Sequence, residues 1–249
     1  MARRLKRAAT ILSTPLLVTL LLSALPAATV QAAEEETELG PVFLLSLGGK
    51  LYDDLWRVLD QEPPAERNAA IPADSGTSAR ATWRCATCHG WSYTGAEIGG
   101  AAFPGLTTLA GTDPKGVKER ILDAAHPFPS AEIPDLALEL LSLFISEGLY
   151  DRTDFLNEKG QALGNPEFGR DIFEGACINC HQLNGRRFLR GEHGDRSSLG
   201  WLVRNRPEQA LHKILNGVPA AEMLSLRFLS SEEIADLIAY LQSLDPAEK

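Results

Sequence analysis

Every cysteine of the chain falls in one of two five-residue patterns, Cys85-Ala86-Thr87-Cys88-His89 and Cys177-Ile178-Asn179-Cys180-His181. Two thiols three positions apart can form a disulfide, a redox dithiol or half of a zinc site. The histidine directly after each pair adds another chemistry. Two such thiols can each add to a vinyl group along one porphyrin edge, and the next residue then sets an imidazole under the iron, which is the pattern of covalent c-type haem attachment. Two copies that use all 4 cysteines of 249 residues favour two haem c groups over disulfides or zinc. Cys85, Cys88, Cys177 and Cys180 are then the attachment thiols, and His89 and His181 the proximal iron ligands. The other ring nitrogen of each should donate to a backbone carbonyl that fixes the ring.

Those residues must be exported before they can be loaded. Met1–Arg7 carries Arg3, Arg4, Lys6 and Arg7, Ile11–Leu25 is an apolar run, and small residues follow at Val30-Gln31-Ala32. This is the order of a cleaved signal peptide, residues 1–32, and the run is short for an uncleaved membrane anchor. Cleavage would leave 217 residues with 20 basic against 33 acidic side chains, a net charge of −13. Such an acidic chain argues against nucleic acid and anionic lipid as partners and against stable membrane insertion after cleavage. It fits a periplasmic protein that docks basic patches on redox partner proteins. At 44% hydrophobic and 23% charged, the composition excludes a disordered tail, a collagen or a polytopic membrane protein.

The elements that must position the ligands read as helices. Leu39 to Leu59 carries Leu51, Leu55, Trp56 and Leu59 on one face, and Leu136 to Leu149 is a second apolar helix. Asn165 to Phe173 reads as a short amphipathic helix with a proline near its start, running into the second motif. A Gly- and Arg-rich loop, Asn184 to Gly200, precedes a helix from about Pro207 to Leu215 and a turn at Asn216-Gly217-Val218-Pro219. The last helix begins at Ser230 with acidic residues in its first turn and continues with Ile234, Leu237, Ile238, Leu241 and Leu244 at helical spacing. Gln61 to Arg80 is expected as a long loop and Asp151 to Gly164 as a linker between domains 33–156 and 157–249. Trp91 and Tyr93 are expected either to cover the first haem or to pack in its core. His193 and His212 are expected at the surface. The cluster Arg186, Arg187, Arg190, Arg196, Arg204 and Arg206 reads as a solvated loop pairing haem propionates, or as a docking patch.

Short helices around a haem, closed by an amphipathic C-terminal helix, resemble the class I cytochrome c family. The stretches Leu215-Asn216-Gly217-Val218-Pro219-Ala220-Ala221-Glu222-Met223 and Leu229-Ser230-Ser231-Glu232-Glu233-Ile234 look much like the distal half of that family, and the resemblance covers about Asn165 to Leu244. Phe103-Pro104-Gly105-Leu106 resembles its proline loop. The resemblance implies an all-α chain of two tandem class I cytochrome c-like domains, each wrapped around one covalent haem. It also implies a sixth iron ligand at Met223, the alternative being a methionine that fills a gap in the core.

The first half has no methionine to match. Aligning Leu140-Leu141-Ser142-Leu143 with Leu237-Ile238-Ala239-Tyr240 places His126 17 residues before Leu143, as Met223 stands 17 before Tyr240. His126 is therefore the first candidate for the sixth position, with Lys115, Lys118 or an open site as alternatives. A His89/His126 haem should then lie below a His181/Met223 haem in potential. The expectation is a periplasmic dihaem cytochrome c that carries single electrons between redox enzymes of a respiratory or photosynthetic chain, with no catalytic residue. The alternative is a dihaem oxidoreductase of the thiosulfate dehydrogenase or peroxidase type with the first haem as its catalytic site. The thiosulfate dehydrogenases add a cysteine as distal ligand, and none is left over here.

Overall fold

A computed structural model describes residues 39–123, 126, 133–187 and 198–245. The expected leader 1–32, and with it His193, Arg190 and Arg196, lie outside the described residues. The first core is closed by two helices, α1 (Pro41–Val58) and α4 (Asp135–Glu147). They cross closely because Gly48 has no side chain; a β-carbon there would overlap the Leu140 carbonyl oxygen. One turn on, the Tyr52 ring meets Phe144 at 5.7 Å. Between these helices the chain forms the single turn α2 (Cys85–His89) and an antiparallel hairpin, β1 (Ala96–Ile98) with β2 (Ala101–Phe103), in which Ala96 stands opposite Phe103. Helix α3 (Pro114–Ile121) follows, with the Asp113 carboxylate accepting from Lys115 N at its start. Leu51, Leu55, Trp56, Val117, Leu138 and Leu141 fill this core.

The second core repeats the device. Helix α5 (Pro166–Ala176), capped by Asn165, crosses α9 (Ser231–Ser243) at Gly169, where a β-carbon would overlap the Asp236 carbonyl oxygen. One turn on, Phe173 meets Tyr240 at 5.4 Å. Ser230 caps α9 as its sequence requires: its hydroxyl accepts from Glu233 N, and the Glu233 carboxylate accepts from Ser230 N at 2.8 Å. The single turn α6 (Ile178–His181) follows α5, and α7 (Leu199–Asn205) and α8 (Pro207–Asn216) complete the core with Leu211, Ile214 and Ile238. The described residues are thus mostly helical with one short hairpin, in keeping with a cytochrome c fold. None of the helices among them is long and apolar enough to cross a membrane.

Three expectations need correction. Asp151 to Gly164 is not an open linker: Phe155 and Leu156 are buried in the second core, and Leu156 pairs with Ala162 across a tight bend. The apolar pair outweighs the Gly and Asp content of the stretch, and Leu39–Lys249 forms one compact unit. Second, Phe144 rather than Leu143 occupies the place of Tyr240, because Phe144 meets Tyr52 as Tyr240 meets Phe173. The offset from His126 becomes 18 residues instead of 17, so the spacing argument for His126 loses its coincidence.

The third correction is His212, which is fully buried rather than at the surface. It lies where α8 crosses α1, an approach permitted by Gly49, whose β-carbon would overlap the Asn216 carboxamide. His212 Nε2–H donates to the Gly49 carbonyl at 2.9 Å, and Nδ1 accepts from the Tyr93 hydroxyl at 2.9 Å.

Candidate haem sites

The first motif is one helical turn, so Cys85, Cys88 and His89, at positions i, i+3 and i+4, share one face of it. The His89 Nδ1–H donates to the Pro104 carbonyl at 2.8 Å, while Gly95 N donates to the His89 carbonyl at 3.0 Å. Gly95 holds a left-handed backbone, φ +93°, in a space where a β-carbon would overlap the Phe103 carbonyl oxygen. The hairpin that follows α2 therefore returns the chain to bring Pro104 against the His89 ring. Sequence reading did not foresee that hairpin.

His126 lies beyond the end of α3. Its Nδ1–H donates to the Arg120 carbonyl at 2.8 Å, with the Asp123 carboxylate at 3.3 Å. The His89 and His126 rings are 6.0 Å apart, centroid to centroid, at an interplanar angle of 40°. Together with Cys85 and Cys88 they line a cavity of about 260 Å³ whose other walls include Phe103, Leu106, Ile121 and Leu141. Two metal–imidazole bonds of about 2.0 Å, extended by two ring radii of ~1.1 Å, span about 6.2 Å. The separation thus fits one iron held between the two rings. With its Nδ1–H given to the Pro104 carbonyl, the neutral His89 ring carries its lone pair on Nε2, and His126 gives its Nδ1–H to the Arg120 carbonyl in the same way. Apolar walls and two thiols beside the paired rings suit a porphyrin.

Burial pushes the Cys85 thiol up to about 12 and Cys88 to about 11. A reactive redox dithiol needs the opposite shift. No group of three or more His, Cys, Asp or Glu among the described residues could hold a bare metal ion. No disulfide joins any of the four cysteines. Burial also pushes the His89 imidazole below its usual value, against the support of the Pro104 carbonyl.

In the second half, Cys177 N donates to the Phe173 carbonyl where α5 gives way to α6, and His181 N donates to the Cys177 carbonyl at 2.9 Å. Cys177 and Met223 pack against the second core, while Cys180 is exposed. Burial pushes the His181 imidazole down.

Sequence reading missed the polar groups that join the halves. Asp53 on α1 is buried and receives ion pairs from Arg84, the residue before Cys85, and from Lys213 on α8. Burial would push its carboxyl up, but the Lys213 and Arg84 charges prevail and hold it below the usual range. Trp91 lies against both cations, each 5.4 Å from its ring, so it packs at this junction. The Arg227 guanidinium donates to the Gly148 carbonyl at 2.5 Å and to Asn216 Oδ1 at 2.8 Å. A signal for His212 was present in its neighbours, since Leu211, Ile214 and Leu215 surround it on a short helix.

Paired thiols with a histidine directly after them are groups that could hold haem c. The family model Cytochrome c matches residues 167–245, which include Cys177, Cys180, His181 and Met223. The match supports a c-type cytochrome, a haem-based electron-transfer protein with covalently bound haem c. No curated protein matches the chain.

Proposed function

We propose that the chain is a periplasmic dihaem cytochrome c of two tandem cytochrome c-like domains, exported by the 1–32 leader, that relays single electrons between partner proteins. Haem iron, when bound, supplies reversible one-electron transfer. Cys85 and Cys88 hold the first group and Cys177 and Cys180 the second, so neither can dissociate. His89 and His126 would hold the first iron, and His181 and Met223 the second. The Pro104 and Arg120 carbonyls, by accepting from the two Nδ1–H groups, strengthen both imidazoles as donors and favour ferric iron. The softer thioether of Met223 favours ferrous iron. The first site is therefore the donor end and the second the acceptor end.

The observation that carries this reading is the 6.0 Å pairing of the His89 and His126 rings across the cavity that Cys85 and Cys88 edge. A further support is the same glycine-then-aromatic crossing in both halves, at Gly48 with Tyr52 and at Gly169 with Phe173. The test is spectroscopic. Ferric wild-type protein should show two low-spin haems, with the near-infrared methionine band from one of them. His126→Ala should turn only the first haem high-spin. An unchanged spectrum would remove His126 from the iron, and a wild-type high-spin haem that takes up cyanide would replace the carrier by an enzyme.

A further inference from the structure

The segment that carries the first motif is gripped from the other half. The Tyr150 hydroxyl donates to the Trp91 carbonyl at 2.8 Å and lies 3.2 Å from the Glu208 carbonyl on α8. Arg84 reaches Lys213 through Asp53. The tightest link is Tyr93. Its backbone is left-handed, φ +62°, which is unfavourable for a residue with a bulky side chain. Such an outlier persists only where its surroundings hold it. Here the ring is fully buried, edge-on to Tyr52 at 5.3 Å and Tyr150 at 4.9 Å. The direction of its hydrogen bond follows from chemistry. The Gly49 carbonyl can only accept, so His212 Nε2 carries the proton and Nδ1 accepts from the Tyr93 hydroxyl.

Both ends of the loop around Tyr93 return to His89. The Tyr93 carbonyl accepts from Leu106 N at 2.7 Å, two residues beyond the Pro104 carbonyl that accepts from His89 Nδ1. On the other side, Gly95 N donates to the His89 carbonyl. We propose that Tyr93, anchored by His212, is a positioning residue for His89, so that the second half sets the donor strength of the first haem's proximal ligand. The inference rests on His89 being an iron ligand. When the anchor is cut, the left-handed turn relaxes and the 104–106 stretch moves with it. The Nδ1–H to Pro104 bond then weakens, His89 becomes a poorer donor, and ferrous iron is favoured.

The test uses the full haem-loaded protein, with a haem count, low-temperature EPR and a spectroelectrochemical titration. Tyr93→Phe and His212→Leu should each raise the midpoint potential of the first haem and shift its low-spin g values. The second haem's potential and methionine band should stay in place. His212→Asn restores an acceptor for the Tyr93 hydroxyl and should return the first haem towards its wild-type potential. The inference is overturned if Tyr93→Phe leaves the first haem unmoved, or if both haems shift together as general loosening would make them. A wild-type count of one haem per chain would instead defeat the dihaem reading itself, and with it this inference.

Discussion

Acid should loosen the joint between the halves before it reaches the carboxylates. His212 is fully buried, and burial pushes its imidazole from an ordinary 6.5 down to about 4. Asp53 opposes the shift, and Lys213 and Arg227 add to it. The other ionisable groups near it, Tyr52, Tyr93 and Tyr150, are all raised by burial and stay neutral. The unfolded chain therefore binds a proton near pH 6.5 that the folded chain refuses until about pH 4. The stability is whole above pH 6.5 and drains as pH falls through that window. Its full extent is about 3 kcal/mol, of which about 2 kcal/mol is gone by pH 5. Asp53, held low by its ion pairs, loses its contribution only below the ordinary carboxylate range, so the two steps separate. The assay is guanidinium unfolding of the holoprotein at pH 7 and pH 5, compared between wild type and His212→Asn, which cannot titrate. Wild type should lose about 2 kcal/mol more than the variant over that interval. Equal losses would show that His212 takes up no proton on unfolding, and the account of it as a neutral buried acceptor would fall.

Two more perturbations probe the packing. Asp53→Asn leaves Lys213 and Arg84 facing each other without a counter-charge and should cost about 3 kcal/mol in denaturant titration; a loss under 1 kcal/mol would mean the pairs are solvated. Gly169→Ala drives a methyl group into the Asp236 carbonyl and should destabilise by about 3 kcal/mol, whereas Gly116→Ala, in the exposed interior of α3 with open space around it, should stabilise by about 0.5 kcal/mol. A matched thermal melt of the two variants checks both signs.

The two Cys-x-x-Cys-His patterns were legible because covalent haem attachment needs a local pattern, and local patterns survive in a one-dimensional string. The closing helices were legible for a similar reason, since Leu237, Ile238 and Leu241 repeat at helical spacing. What escaped reading was set by partners far away in the chain. His212 looks like any histidine on a short helix until α1 is laid across it, and Asp53 looks solvated until Lys213, 160 residues later, reaches it. The placement of His126 shows the same divide. Counting from the apolar run of α4 gave a match to Met223 only with Leu143 opposite Tyr240, and ring packing moves that register to Phe144. Its facing position to His89 depends instead on where α3 ends and on the Arg120 carbonyl.

The two crossings also explain how one helix type serves two ends. On α5, the residue after Gly169 is Arg170, exposed and paired with Glu174 one turn on. On α1, the residue after Gly48 is Gly49, and the face that α5 gives to water is given to α8 instead. Removing that one side chain lets Asn216 and His212 approach the α1 backbone, where the Gly49 carbonyl becomes available to His212 Nε2. The contact that ties the halves is thus made by subtracting a side chain from a repeated element. A β-carbon at Gly49 should separate the halves while leaving each glycine-aromatic crossing intact, so Gly49→Ala should broaden unfolding into two transitions. A single sharp transition would mean that the cores are held together elsewhere, with Arg227 and Asp53 sufficient for the joint.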